Sequence, residues 1–322
     1  MRALPWRPPR GRCLRHSRRY LNLTSLRAYL LSLLSFVLVG HRLLAAHDAN
    51  FWRSIPAHDF EVPVNQSIAD LALEIADLAA DTNPELRDQC GYEILASWVY
   101  RKNVLSSEQL ETLRRKILPG MTAHLGESDN PTIFRRSFSA LYMSILAAHD
   151  LQHPFFSDTA FRETLDAALQ CYAREKDFRG YSPKQGWAHG TAHVADLVKF
   201  LGRNPRLSTL DQKRIVETIA QRCRTAPSVF VWGEDARIAA ALLSLVNRKD
   251  FDPSAFEAWF KSAATENKQL WSASILDTTA YVRVRNQANV LVQLAAKIGA
   301  NPSTQLPDTF RTALNSVITE LN

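Results

Sequence analysis

The stretch Lys176–Phe200, KDFRGYSPKQGWAHGTAHVADLVKF, concentrates the side chains that could do chemistry. His189, His193 and Asp196 recur at i, i+4 and i+7, the spacing that lines residues along one face of a helix. Two imidazoles one turn apart can point at one divalent metal such as zinc, with Asp196 or Glu234 as a further ligand. The pattern falls short of a metalloprotease motif, because Gly190 stands where a general-base glutamate would follow the first histidine. The same spacing suits metal-free acid–base chemistry or ligand binding. It equally suits histidines that hydrogen-bond carbonyls and carboxylates inside a helical stack.

A second polar run, WGED at Trp232–Asp235, supplies two carboxylates. Facing the histidines, Glu234 and Asp235 would act as general acid and base; in the first turn of a helix they would instead complement its dipole. Arg136, Arg179 and Arg237 carry forked donors that fit an anionic ligand, and they fit structural pairing with Asp88 or Glu93 as well. Tyr181 and Trp187 would line a pocket or pin the loop to the core. No GxSxG elbow, no glycine-rich phosphate loop and no cysteine set beside a histidine occurs, so the common nucleophilic and phosphoryl-transfer enzymes find no support.

The elements that must position these residues read as helices. A loop with Gly180, Pro183 and Gly186 leads into a histidine helix from about Trp187, closed by Gly202 and Pro205. Before it, His47–Pro63 is an approach segment with Phe51, Trp52 and Ile55 available to dock. Ser67 caps a helix, Asn83–Pro84 opens the next, Ser106 with Gln109 forms a capping box on a helix ending before Pro119, and Asn130–Pro131 repeats the strong start. After the histidine helix, Ser208, Gly233, Pro253 and Pro307 mark further starts, and Ile275–Ile298 reads as one long or broken helix. VFVW at Val229–Trp232 is too short to count as a strand. The expectation is an all-α fold of about eleven antiparallel helices, without a sheet, stacked as a superhelix of the HEAT-like solenoid or toroid kind. A single helical domain is expected over residues 47–322.

The 322 residues are 46% hydrophobic, ample for a core, and carry a formal net charge of +7. Nine arginines and no acid lie in Met1–Ala46, so subtracting nine from +7 leaves −2 for the remainder. A body without a basic stripe excludes nucleic acid as the expected partner. Within the leader, the uncharged run Ala28–Gly40 followed by Ala45–Ala46 has the pattern of a secretory signal, and export to a periplasmic or secreted destination is expected. A membrane enters only if that leader stays uncleaved as an anchor, and residence in the cytoplasm is the other alternative. Cys90, Cys171 and Cys223 fall in helical runs without CxxC spacing and read as buried thiols.

Five segments carry a resemblance to a known family: FWRSIPAHDF, LRDQCGYEILASWV, FRRSFSALYMSIL, KDFRGYSPKQGWAHGTAHVADL and WGEDARIA. Across Phe51–Asn289 the chain resembles the bacterial domain of unknown function family 2785, which implies an all-helical fold and no known activity. The functional expectation is a ligand-binding or interaction protein, taking an unknown small molecule or protein at a polar pocket around His189 and His193. The alternative is a hydrolase or lyase, metal-dependent or not, that uses the histidines with Glu234 or Asp235.

Overall fold

The computed structural model describes residues 47–301 and 306–322, so the leader expected over residues 1–46 lies outside the described residues. Local sequence signals account for most helix starts. Asp48 accepts from the Phe51 amide at 2.9 Å and starts α1 (Ala49–Ala57), so the approach segment is itself helical, with Trp52 and Ile55 buried. Ser67 caps α2 (Ile68–Leu78). The next helix is not regular: a π-helical segment, Glu85–Tyr92, runs into α3 (Glu93–Ala96) and a second π-helical segment, Ser97–Arg101.

The expected Ser106–Gln109 capping box forms on α4 (Ser107–Thr122). That helix does not stop at Pro119. It runs on through Thr122, and Gly120 packs against Ser139, where a Cβ would come within 2.2 Å of the hydroxyl. Then follow α5 (Thr132–Asp150), α6 (Asp158–Arg174), α7 (Gly190–Arg203), α8 (Thr209–Thr225), α9 (Glu234–Val246), α10 (Ser254–Ser272), α11 (Thr278–Gly299) and α12 (Asp308–Leu321). Twelve α-helices among the described residues make the fold all-α.

One detail departs from an expectation of no sheet. Tyr181–Ser182 (β1) and Gly186–Trp187 (β2) pair antiparallel, Tyr181 opposite Trp187. The three-residue connection closes on Gly186 at φ 69°, the left-handed position that such hairpins reserve for glycine. Val229–Trp232 forms no strand.

Helices pack with their next-but-one neighbours. The histidine helix α7 lies between α5 and α9, α9 packs on α11, and on the other side α6, α8, α10 and α12 follow one another. Apolar faces at helical spacing meet in one large core, to which Trp98, Phe138, Leu197, Leu242 and Phe256 contribute. Cys90, Cys171 and Cys223 are buried free thiols; burial pushes the last two up to about 12. No helix among the described residues is long and apolar enough to cross a membrane.

Candidate functional site

The hairpin sets the first histidine and the helix sets the second. Beyond β2 the ladder continues for two bonds, Ala188 N donating to the Gly180 carbonyl at 2.8 Å and His189 N to the Arg179 carbonyl at 2.9 Å. His189 then turns into the left-handed region, φ 53° and ψ 33°, and α7 begins only at Gly190. The helix therefore starts three residues later than Trp187, and His189 is its N-cap rather than a member of its stripe. A non-glycine residue there holds strain of order 1–3 kcal/mol, which persists where surrounding bonds over-determine the backbone. The two rings still meet, edge to face, with centroids 5.5 Å apart.

Both imidazoles are 5% exposed. His193 places Nδ1 2.7 Å from Ser137 Oγ, and that hydroxyl already donates to the Ala188 carbonyl. Nδ1 is consequently the donor to Ser137, and Nε2 keeps its lone pair. His189 stacks on Trp187 at 4.7 Å, and its Nε2 is buried with no hydrogen-bond partner among the described residues. Burial, and then the Arg237 charge, lower the His189 imidazole to about 4, with a backbone hydrogen bond to Trp232 opposing them. His193 is driven well below the usual histidine range by burial first, then by His189, Arg237 and Arg87. Both rings are neutral at pH 7.

The other residues singled out by sequence go to different places. The Asp196 carboxylate pairs with Arg237 and stands 3.5 Å from Lys199, so it is not offered to the imidazoles. No group of three or more His, Cys, Asp or Glu among the described residues is arranged to hold a metal ion. Glu234 turns back to accept from the Trp232 amide at 2.8 Å, and burial raises its carboxyl. Asp235 accepts from Ala236 N at 2.8 Å. These two carboxylates bind backbone at the start of α9 instead of forming a dyad with the histidines.

Arg136 is fully committed inside the protein. It forms a two-pronged pair with Glu175 and donates to the Ala123, His124 and Glu127 carbonyls and to Thr132 Oγ1. Arg179 clasps Asp177 and donates to the Asn130 carbonyl at 2.6 Å. Tyr181 and Trp187 do form a wall: they meet edge to face at 5.1 Å, and Trp187 meets Trp232 at 5.9 Å. Gly180 makes room for Trp232, since a Cβ there would lie 2.1 Å from the indole. A cavity of about 280 Å³ opens beside this wall, lined among others by Phe134, Phe178, Tyr181, Ala188 and Trp232.

Sequence reasoning missed Arg87. The side chain is fully buried, its guanidinium 4.1 Å above the Phe134 ring and 4.5 Å above that of Phe138, whose edge in turn meets His193 at 4.9 Å. It donates to the Asp81 carbonyl at 2.9 Å and the Gln185 carbonyl at 2.7 Å, with a longer bond of 3.3 Å to Trp187, so it ties the π-helical segment to the hairpin. Its Nε and Asp88 Oδ1 lie 3.5 Å apart, an electrostatic contact and not a formed hydrogen bond. Both atoms are buried without a hydrogen-bond partner among the described residues. Burial raises the Asp88 carboxyl to about 6 against the opposing pull of Arg87; the side chain is 31% exposed, but Oδ1 is its enclosed end.

The π-helical geometry has a visible cause. The Tyr142 hydroxyl donates to the Arg87 carbonyl at 2.9 Å and occupies the space of a side chain at residue 91; a Cβ on Gly91 would lie 1.9 Å from that oxygen. Insertion of a polar group into the helical ladder widens it. Gly91 inside an otherwise apolar helical run was the available sequence signal.

Residues 121–295 match the sequence model of the family described as "Protein of unknown function (DUF2785)". The chain belongs to this family. The part matched by DUF2785 is over half of the chain and includes the hairpin, both histidines, Trp232 and Arg237, while Arg87 and Asp88 precede it. No curated protein matches the chain, and no solved structure does.

Proposed function

We propose that this protein binds a small polar molecule in the cavity beside the Tyr181–Trp187 hairpin, where Phe134, Phe178, Tyr181, Ala188 and Trp232 line the walls. One observation carries the reading: His189 Nε2 and Arg87 Nε, on side chains at most 5% exposed, have no hydrogen-bond partner among the described residues. A buried polar atom left without a bond costs roughly 1–3 kcal/mol, so native proteins retain one where something else completes it. Support also comes from the strained backbone of His189 and from the aromatic-walled cavity beside it, near the lower end of the size range of small-ligand sites.

The hydrolase or lyase alternative finds less support. Glu234 and Asp235 bond to backbone, and imidazoles held far below 6.5 carry no extra proton to give at neutral pH. The expected superhelical stacking and single domain belong to the same proposal, with alternate helices standing in two rows. So does export. If the leader is removed, sequencing the mature N-terminus will find a residue near His47, whereas Met1 there would rule cleavage out.

The test is a thermal-shift screen of small metabolites on the wild-type protein and on His189→Asn, since asparagine tolerates the left-handed conformation. The reading expects compounds that raise the wild-type melting temperature by several degrees and leave the variant unmoved. Equal shifts in both proteins would remove the cavity as the site.

A further inference from the structure

A second cavity, of about 240 Å³, lies between the end of α10 and the start of α11. Leu270, Ala273, Ala280 and Val284 form its apolar wall, and Arg283 lines it from α11. The Arg283 side chain is half-buried, yet it makes no hydrogen bond, ion pair or ring contact among the described residues. Its Nε is enclosed and unbonded, while neither Nη is enclosed, so the open end of the fork is reachable from the cavity it lines. Guanidiniums withdrawn from solvent ordinarily face a carboxylate, as Arg224 faces Glu266 at 2.8 Å close by.

The two acids of the same lining do not serve as that partner. Glu266 accepts from Arg224 Nε at 2.8 Å and from Gln287 Nε2 at 2.9 Å, one donor on each oxygen. Asp277 caps α11, accepting from the Thr279 and Ala280 amides at 2.8 and 3.2 Å. Arg283 therefore lacks one negative charge. A single planar carboxylate supplies it and fits the fork, whereas a doubly charged phosphate would be repelled by Glu266 and Asp277. The remaining wall is apolar, and the connection that closes the cavity is apolar too: Trp271, Ile275 and Leu276 are 62%, 82% and 45% exposed there.

We infer that this cavity is a binding site for a small monocarboxylate with an aliphatic chain, its carboxylate on Arg283 and its chain against Leu270 and Val284. The site is separate from the cavity beside the hairpin, and each stands or falls by its own experiment.

Isothermal titration of the full chain tests it with butyrate, hexanoate and octanoate, and with octanol, hexyl phosphate and an acetylated pentapeptide ending in a leucine carboxylate. Affinity should rise by up to about fourfold for each CH₂ that the cavity covers. Arg283→Gln should weaken octanoate about tenfold or more, and Ala273→Phe, which fills the mouth and keeps the charge, should weaken it as well. Arg285→Gln should bind like the wild type, because that guanidinium lies over Tyr281 and bonds to Asn322. Octanol or hexyl phosphate bound as tightly as octanoate, or octanoate held equally by wild type and Arg283→Gln, would overturn the inference. The peptide bound without any alkanoate would overturn it in favour of a protein partner's C-terminus, and no binding by any of the six would leave Arg283 solvated only.

Discussion

Two buried arginine clusters flank the start of α7, and they are finished to different degrees. In one, Glu175 holds Arg136 in a two-pronged pair, while Arg222 donates to the Glu175 carbonyl at 2.6 Å and to Thr191 Oγ1 at 2.6 and 3.1 Å. Arg222 also lies 3.8 Å over the Phe178 ring, and the space left beside the cluster is about 10 Å³, enough for a single water. In the other, Arg87 is as deeply buried, yet its Nε and the facing Asp88 Oδ1 stay 3.5 Å apart without a bond. A buried arginine is thus no mark of a binding site by itself. The mark is a donor and acceptor set that the protein leaves incomplete beside a half-open aromatic wall.

The comparison breaks most easily at Glu175. Glu175→Ala leaves the Arg136 guanidinium without its carboxylate and should cost about 3–5 kcal/mol, read as a lower urea midpoint at unchanged slope. A loss below about 1 kcal/mol would mean that the finished cluster is not structural.

Acid is the next lever. The His189 imidazole titrates near 4 in the fold and near 6.5 in the open chain, so between those values the unfolded chain holds the extra proton. Its contribution is complete above pH 6.5 and drains away as pH falls toward 4, by about 3 kcal/mol in all. His193 acts in the same direction. Denaturant midpoints measured from pH 7 to pH 4 should fall less steeply in His189→Asn; parallel curves would mean that His189 is not held neutral.

Gly91→Ala should lose about 1–3 kcal/mol by driving a methyl group into Tyr142, and Tyr142→Phe in the same chain should restore part of the loss. Strict additivity of the two changes would disconnect Tyr142 from the π-helical turn. Smallest of all, His189→Asn at pH 7 should change stability by less than about 1 kcal/mol, because Nε2 has no partner within the described protein to lose.

The parts legible in the sequence are those set by neighbours along the chain. Ser67, Ser106 with Gln109, and Ser208 cap helices where their spacing predicts, and apolar residues at helical intervals form the core. The parts not legible are set by distant partners. His189 is left-handed because Arg179 and the hairpin hold it, Glu85–Tyr92 is a π-helix because of Tyr142, and Arg136 is structural because Glu175 reaches it from the end of α6. The histidine pair was visible as a feature; its Ser137, Trp187 and Arg87 surroundings required the fold.

The most direct test of the central claim is a high-resolution crystal structure grown with the compound that most raises the melting temperature. The expected result is the compound in the cavity beside the Tyr181–Trp187 hairpin, in contact with Tyr181 and Trp232. That cavity filled by water alone, with the compound bound elsewhere, would contradict it.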